Sequence, residues 1–222
     1  MQVVNHRLVA DPGDPWEIVD SVSPQDAKRP IITPKVLLWH YAVSESLAGT
    51  VATQRETGYK AHLTMDGLII TPTGPVLKVV QLIPFNMRGS HAGESQWKGE
   101  PSVNNYSIGV EVASWGPLQK RGDKFYTVGS GGKVEWPADQ VYTGRHRIKA
   151  CPYEYWCDYE EAETDFAVNL GLTLLKAYPS IEDTLGHDEV AVPEGRKIDP
   201  GPAWPMTWLK SQLFPTPTAP AV

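Results

Sequence analysis

Residues 35–41, KVLLWHY, form the apolar run that most constrains how this chain can fold. A short, continuous apolar run is typical of a strand that is buried on both faces of a sheet. Its polar residue near the end, His40, would then lie at the carboxyl end of a central strand. Because ligands gather at the carboxyl ends of strands in open α/β sheets, His40 is a candidate site residue.

The patterns around this run predict further helices and strands. Ser44 is the expected N-cap of the first helix, and Asp66-Gly67 is a turn signal that predicts a hairpin. The order of elements predicts an α/β (α+β) fold, with a mixed central β-sheet flanked by helices in a single domain. In chain order the predicted elements are a helix over residues 44–57, strands over 59–65, 68–71, 76–83 and 106–113, and helices over 160–178 and 206–214.

Proline and glycine divide the chain into three parts. Residues 1–34 contain five prolines, so we expect an extended N-terminal lead-in through which no helix can run. Residues 35–214 form the main domain, in which residues 114–150 are an insertion with a flexible hairpin around GSGG. The proline-rich tail, residues 215–222, is predicted to be disordered.

Charge and hydropathy exclude some classes of function. A net charge of -6 leaves no basic stripe for phosphates, so we expect no nucleic-acid partner. The apolar runs are far shorter than the ~20 residues of a membrane span. The N-terminus lacks the pattern of a secretory signal, so we expect synthesis in a cytoplasm. Whether Cys151 and Cys157 pair is open, since their spacing fits neither a zinc knuckle nor a redox motif.

Residues 186–202, GHDEVAVPEGRKIDPGP, gather His187, Lys197 and Asp199 in one segment. Its prolines and glycines predict turns rather than helix or strand. With His40, this segment offers two imidazoles and one carboxylate, which leave a fourth tetrahedral position open as in catalytic zinc sites. Each residue also has a plainer interpretation: a core histidine, a turn aspartate before Pro-Gly and a solvated lysine.

A second carboxylate, Glu111, lies within the apolar strand SIGVEV. A buried and unpaired carboxylate costs several kcal/mol, so the residue either faces solvent on an edge strand or has a function. The functional interpretation is a general acid or base beside a metal. Lys197 would then stabilise an oxyanion that develops on a carbonyl.

The long segment 84–104 has no pattern of regular structure, and loops of this length are usually functional. We predict that His91, Trp97 and Asn105, together with His62 on a neighbouring strand, contact a substrate. The alternatives are that both histidines support the metal ligands from behind, that Trp97 is an exposed loop aromatic, and that Asn105 only ends the loop.

Six ordered blocks carry a family resemblance: VLLWHY, KAHLTMDGLI, VVQLIPFN, GSHAGESQW, NNYSIGVEV and GHDEVAVPEGRKIDPGPAWPM. They resemble the type-2 N-acetylmuramoyl-L-alanine amidase family, which shares its fold with peptidoglycan recognition proteins. The similarity covers residues 35–210. It implies a zinc hydrolase that cleaves the amide bond between N-acetylmuramic acid and L-alanine.

The resemblance also implies a role for each site residue. It implies that His40, His187 and Asp199 bind Zn²⁺, and that Glu111 and Lys197 are catalytic. An aspartate as third ligand, with Ala61 in place of the tyrosine of the other branch, resembles the branch that includes muropeptide-recycling enzymes and phage endolysins.

We therefore expect a phage or prophage endolysin that acts as a monomer on peptidoglycan after release from the cytoplasm. A cytosolic muropeptide-recycling amidase is the first alternative. A non-catalytic peptidoglycan-binding module would be expected to lose a metal ligand, and all five site residues are present. A hydrolase that cleaves a bond inside the stem peptide is a further alternative.

Overall fold

The computed structural model describes residues 1–44, 46–71 and 74–215. The predicted disordered tail, apart from Pro215, lies outside the described residues. The strands, in chain order, are β1 (Gln2–Val4), β2 (Arg7–Val9), β3 (Trp16–Asp20), β4 (Val36–Tyr41), β5 (Leu63–Thr71), β6 (Gly74–Gln81), β7 (Gln96–Trp97), β8 (Glu100–Pro101), β9 (Ser107–Val112), β10 (Pro117–Arg121), β11 (Lys124–Thr127), β12 (Glu135–Trp136), β13 (Val141–Thr143), β14 (Tyr155–Cys157) and β15 (Asp183–Gly186).

The helices confirm all three predicted helices, and the structure adds short helical elements. No helix among the described residues has both the length and the apolar character that crossing a membrane requires. The α-helices are α1 (Leu47–Thr57), α2 (Glu161–Ala177), α3 (His187–Val190) and α4 (Met206–Leu213), and 3-10 turns cover Asp26–Lys28, Val103–Asn105 and Ala138–Gln140.

The central sheet has six strands in the order β15-β4-β9-β5-β6-β3. Strands β15, β4, β9 and β5 are parallel neighbours, whereas β6 runs antiparallel to β5 and parallel to β3. Strand β4 is buried and lies between two parallel partners, as its continuous apolar run predicts. The predicted mixed sheet flanked by helices is confirmed.

The two faces of the sheet have different covers. Leu37 and Trp39 of β4 pack into the main apolar cluster, to which helices α2 and α4 contribute. Val36 and Leu38 belong to a second cluster, formed with the loops on the opposite face. Because side chains alternate along a strand, His40 continues this second set and faces the loops rather than helices α2 and α4.

The N-terminal lead-in is part of the sheet. Strand β3 pairs with β6 and forms one edge of the sheet, while β1 and β2 form a small hairpin. One short 3-10 turn interrupts the extended path that proline predicts. Its Asp26 carboxylate accepts from the Ser23 hydroxyl at 2.6 Å and from Arg29 Nε at 2.8 Å, and these side chains stabilise the turn.

Two local predictions were wrong. Asp66-Gly67 is not a hairpin turn, because β5 runs through it with a bulge between Asp66 and Leu68 while pairing with β6 on both sides. The ladder of the sheet therefore overrides the local turn signal. The cap of α1 is Ser46 rather than Ser44, since the Ser46 hydroxyl accepts from the Gly49 backbone N–H at 3.2 Å.

The insertion forms a second sheet with the order β12-β11-β10-β14-β13. Its predicted hairpin is the antiparallel pair β11 and β12, which places Phe125 opposite Trp136. The sheet continues to Cys157, beyond the predicted boundary at residue 150, and both cysteines are free. The insertion also touches the central sheet, because a Cβ on Gly116 would lie 2.6 Å from the Tyr41 ring.

Candidate metal centre

Two of the predicted site residues are neighbours in the central sheet. Strands β4 and β9 pair in a register that sets His40 opposite Glu111. Residues that are paired in this way project from the same face of the sheet. The backbone ladder therefore fixes the relative positions of an imidazole and a carboxylate.

The segment 186–202 brings two more site residues to this pair. Strand β15 lies beside β4 and ends at Gly186, so His187 follows directly at the carboxyl end of the sheet. The backbone N–H of Asp188 donates to the Asp199 carbonyl at 2.9 Å. This bond closes the segment into a loop and holds His187 and Asp199 side by side.

The prediction of no regular structure in this segment was wrong at its start. Residues His187–Val190 form the short helix α3. The Glu189 carboxylate accepts from the Gly186 backbone N–H at 2.7 Å. An acidic side chain that bonds back to the start of a helix stabilises its first turn, and this contact depends on local side-chain geometry rather than on helix propensity.

Three donor atoms converge at the centre of this arrangement. His40 Nδ1 lies 3.0 Å from both His187 Nδ1 and Asp199 Oδ2, and His187 Nδ1 lies 2.9 Å from Asp199 Oδ2. Donor atoms at ordinary zinc distances from one tetrahedral ion are roughly 3.3–3.6 Å apart. The three atoms are close to that spacing, and all three residues are buried. Two nitrogens and one oxygen in this geometry fit a metal ion with an open fourth position.

The charges of the centre also suit a cation. Burial lowers the pKa of His40 to about 4, with the charge of His187 acting in the same direction, so the imidazole is neutral and can act as a ligand. Burial alone would raise the pKa of Asp199, but the two adjacent imidazoles bring the pKa of this carboxyl well below its usual range. Asp199 is therefore ionised.

Glu111 has a buried oxygen with no protein partner. Its Oε2 atom accepts no hydrogen bond from the described residues. Burial raises the pKa of Glu111 to about 8; the charge of Asp199 adds to this shift and Lys197 opposes it. A buried carboxylate oxygen that lacks a partner indicates a group that binds here in the working protein.

A cavity of about 270 Å³ opens onto these residues. Its lining includes the three candidate ligands, with Glu111, Lys197 and His91. Lys197 is exposed on the loop, so its ammonium group can reach a bound molecule without the cost of burying a charge. The structure thus brings together all five residues that the sequence predicted for metal binding and catalysis.

The four residues predicted to contact substrate are placed differently. Only His91 lines the cavity, and its Nδ1 lies 2.9 Å from His40 Nε2. His62 is fully buried, with its Nε2 on the Met87 carbonyl at 2.8 Å and its Nδ1 accepting from the Gly109 N–H at 3.0 Å. Both of its ring nitrogens are thus bonded to backbone, so neither is free for a ligand.

Trp97 and Asn105 do not line this cavity. The Trp97 ring packs against Tyr106, with a centroid separation of 6.4 Å, and carries the Lys98 ammonium over its face at 4.2 Å. The Asn105 Oδ1 atom accepts from Arg88 Nε at 2.7 Å. These contacts explain both side chains within the fold.

Sequence reasoning missed two residues that hold the centre in place. Asn104 accepts from the backbone N–H groups of His91 and Ala92 at 2.9 and 3.0 Å. Arg196 Nη2 donates to the carbonyls of Ala92 and Glu94 at 3.1 and 2.6 Å. The only available signal was the position of Asn104 before a buried strand, and Asn105 shares that signal.

Comparisons with known proteins show which family the chain resembles. The family model described as N-acetylmuramoyl-L-alanine amidase (Amidase_2) matches residues 28–202. The 1,6-anhydro-N-acetylmuramyl-L-alanine amidase AmpD of Enterobacter cloacae is 30% identical over 137 residues, which are 61% of this chain and 51% of that protein. The N-acetylmuramoyl-L-alanine amidase AmiD of Escherichia coli is 26% identical over 179 residues, covering 80% of this chain and 52% of AmiD.

A solved structure has the same fold. It is the complex of the E. coli amidase AmiD with the substrate anhydro-N-acetylmuramic acid-L-Ala-D-gamma-Glu-L-Lys, which aligns with a TM-score of 0.57 and 23% identity. The alignment covers 84% of this chain and 60% of that one. The chain thus spans about half the length of the curated relatives that it matches.

Proposed function

This chain belongs to the N-acetylmuramoyl-L-alanine amidase family, and we propose that it hydrolyses the amide bond between N-acetylmuramic acid and L-alanine in peptidoglycan. The observation that carries this proposal is the convergence of His40, His187 and Asp199 beside the unpartnered oxygen of Glu111. Two imidazole nitrogens and a carboxylate around an open position suit metal-assisted hydrolysis of an amide.

We propose Zn²⁺ as the metal. Two imidazoles and one carboxylate form a ligand set that zinc hydrolases use, and it lacks the oxygen-rich character that Mg²⁺ or Ca²⁺ requires. Zinc bound here would act as a Lewis acid, which would polarise a carbonyl oxygen and lower the pKa of water. His40, His187 and Asp199 would hold it.

Glu111 is proposed as the general base and then the general acid. Its orphan oxygen faces the same side of the sheet as His40, and a cation in the centre would lower the pKa of its carboxyl from the value near 8. The carboxylate takes a proton from the attacking water and delivers it to the leaving amine of L-alanine.

Lys197 is proposed to stabilise the negative charge on the former carbonyl oxygen. Lys197 lines the same cavity as Glu111, and its charge lowers the pKa of that carboxyl. A cation held beside a developing oxyanion contributes more in the transition state than in the ground state.

Two substrate classes are proposed. The first is intact peptidoglycan, as for a phage or prophage endolysin that reaches the cell wall after release. The second is soluble anhydro-muropeptides, which the name of the AmpD relative favours. Both contain the same lactyl-alanine amide. The ligands and both catalytic candidates come from one chain, so we propose that a monomer is sufficient.

Mass spectrometry of digested peptidoglycan tests the reaction. We expect glycan strands free of peptide, together with stem peptides that begin with an intact L-alanine. Cleavage inside the stem peptide, or binding without any cleavage, would contradict the proposal. The ratio of rates on intact sacculi and on a soluble anhydro-muropeptide decides between the two substrate classes.

A further inference from the structure

We infer that His91 and Ala92 are positioning residues that fix the tautomer and ring orientation of both histidine ligands, and that the side chain of Asn104 holds this positioning pair in place. The pair, His91 with Ala92, lies on the long loop beneath the candidate metal centre. The inference rests on the proposed metal centre and adds an outer layer of three residues to it.

The contact on the His187 side fixes the proton of that ring. His187 Nε2 lies 2.9 Å from the Ala92 carbonyl oxygen. A carbonyl can only accept a hydrogen bond, so His187 carries its proton on Nε2. The lone pair of Nδ1 therefore points to the centre, where Asp199 lies. Arg196 Nη2 donates to the same carbonyl oxygen at 3.1 Å and so helps to keep it directed at the His187 ring.

The contact on the His40 side is an imidazole pair. His40 Nε2 lies 2.9 Å from His91 Nδ1, so one ring must donate to the other. His40 can offer a lone pair to a metal at Nδ1 only when its proton is on Nε2. His91 Nδ1 is then the acceptor, and its own proton on Nε2 faces the Ser107 hydroxyl at 3.4 Å. Each ring nitrogen of His40, His91 and His187 is thus assigned either a proton or a lone pair.

The fold makes room for the His91 ring at two glycines. A Cβ on Gly109 would lie 2.5 Å from the ring, and one on Gly89 would lie 2.6 Å from it. Gly109 is in the middle of strand β9, on the face that also carries Glu111. The ring thus packs directly on the backbone of the strand, which leaves it little freedom to turn away from His40.

One amide side chain fixes both members of the positioning pair. The Asn104 Oδ1 atom accepts from His91 N at 2.9 Å and from Ala92 N at 3.0 Å. Asn104 is buried, so the two N–H groups would have no water to replace this oxygen. A single carbonyl-type oxygen therefore sets the acceptors for both ligands.

Metal affinity measured by competition with a chromophoric chelator tests the inference in the full-length protein, with Zn²⁺ as the probe. We expect His91→Leu to weaken Zn²⁺ binding about 10–100-fold, the usual effect of losing a partner of a ligand histidine. His91→Asn, whose amide oxygen can replace Nδ1 as acceptor, should restore most of the affinity. Asn104→Ala should weaken binding and Asn104→Asp, which keeps the oxygen, should not.

A matched control separates the hydrogen bond from packing. His62 is a buried imidazole beside His91, with a ring centroid distance of 5.7 Å, but it bonds to backbone and touches no candidate ligand. His62→Leu should therefore leave Zn²⁺ affinity close to that of the wild type. The absorption bands of bound Co²⁺ should shift in His91→Leu and stay unchanged in His62→Leu.

The outcomes separate this inference from the proposed function. A wild-type protein that binds no Zn²⁺ would overturn both. A wild type that binds Zn²⁺ while His91→Leu binds it equally well, or while His62→Leu weakens it as much, would overturn the positioning role alone. If circular dichroism shows that His91→Leu does not fold, the two Asn104 variants test the inference instead. Equal Zn²⁺ affinities of Asn104→Ala and Asn104→Asp would contradict it.

Discussion

Two glutamates of this protein have similarly raised pKa values but different hydrogen-bond partners and neighbouring charges. Burial raises the pKa of Glu111 to about 8, and it raises that of Glu163 to the same value. Glu163 lies in the first turn of α2, where its carboxylate accepts from the Glu160 backbone N–H at 2.8 Å as part of a capping box. Glu111 has an oxygen with no such partner.

Their surroundings differ as well. Besides burial, the charges that raise the pKa of Glu163 are all carboxylates, with Glu160 the largest of them. Glu111 lies between charges of opposite sign, Asp199 and Lys197. Among the described residues, the donor atoms that converge closely enough to hold a metal are those of His40, His187 and Asp199, next to Glu111. A raised pKa therefore reports burial, whereas an orphan oxygen beside converging donors marks a site.

Substituting each carboxylate in turn tests the distinction between the two glutamates. We expect Glu111→Gln to lower the rate of amide hydrolysis by about 10²–10⁴-fold, because a general base and acid is lost. Glu163→Gln should leave this rate unchanged, since its role is to cap a helix. The measurement is the release of stem peptides from peptidoglycan. Equal effects of the two substitutions would refute the distinction.

Metal binding at the centre beside Glu111 should stabilise the folded protein, and this gain should not depend on Glu163. At a free Zn²⁺ concentration a thousand times its Kd, we expect the free energy of unfolding to rise by about 4 kcal/mol. His187→Ala should remove this gain, and Glu163→Gln should keep it. Denaturant unfolding with added Zn²⁺ and with a chelator measures both. A gain that survives in His187→Ala would place the metal elsewhere.

Of the two glutamates, Glu111 is the one whose pKa is lowered by a nearby positive charge, and Lys197 supplies that charge. We expect Lys197→Met to lower kcat by about 10²–10³-fold, as for the loss of one oxyanion partner, with Zn²⁺ affinity retained. Lys197→Arg keeps a cation and should recover part of the rate. Steady-state kinetics on a soluble muropeptide, with the zinc content measured in parallel, test this expectation. A methionine variant with the wild-type kcat would contradict it.

A further test concerns the pH dependence of stability at Glu163. The raised pKa keeps a proton on Glu163 in the folded protein up to about pH 8, whereas the unfolded chain releases it near the ordinary glutamate pKa of 4.5. Folding therefore takes up a proton between these values, and this contribution to stability falls as the pH rises. The slope is at most about 1.4 kcal/mol per pH unit.

Glu163→Gln removes this titration and keeps an acceptor for the cap. We expect the variant to gain stability relative to the wild type from pH 5 to pH 8, as urea unfolding at several pH values would show. A constant difference across this range would mean that Glu163 is ionised in the folded protein.

Local patterns identified the candidate residues of the site, and the family resemblance supplied their expected roles. The apolar run that ends at His40, and the turn-rich segment that carries His187, Lys197 and Asp199, could be recognised because a buried strand and a rigid loop have clear local signatures. Strand β9 has a further signature: small or polar residues alternate with Ile108, Val110 and Val112. That alternation shows two faces, but not which of them meets the site.

Long-range pairing could not be predicted in the same way. That His40 is opposite Glu111, and that β3 joins the sheet beside β6, depends on contacts between segments far apart in the chain. The direction of the His91 side chain and the choice of Asn104 over Asn105 depend on single hydrogen bonds within a loop. Composition and periodicity carry no information about such bonds.

The close packing of His91 on Gly109 has a consequence for reading mutational scans of this protein. Gly109 is not among the residues that line the cavity, and a ranking of positions by distance from bound ligand would treat it as part of the scaffold. Yet any side chain added there must displace the ring that holds His40. Variants at this strand glycine should thus behave like His91→Leu and bind zinc poorly, even where they remain folded.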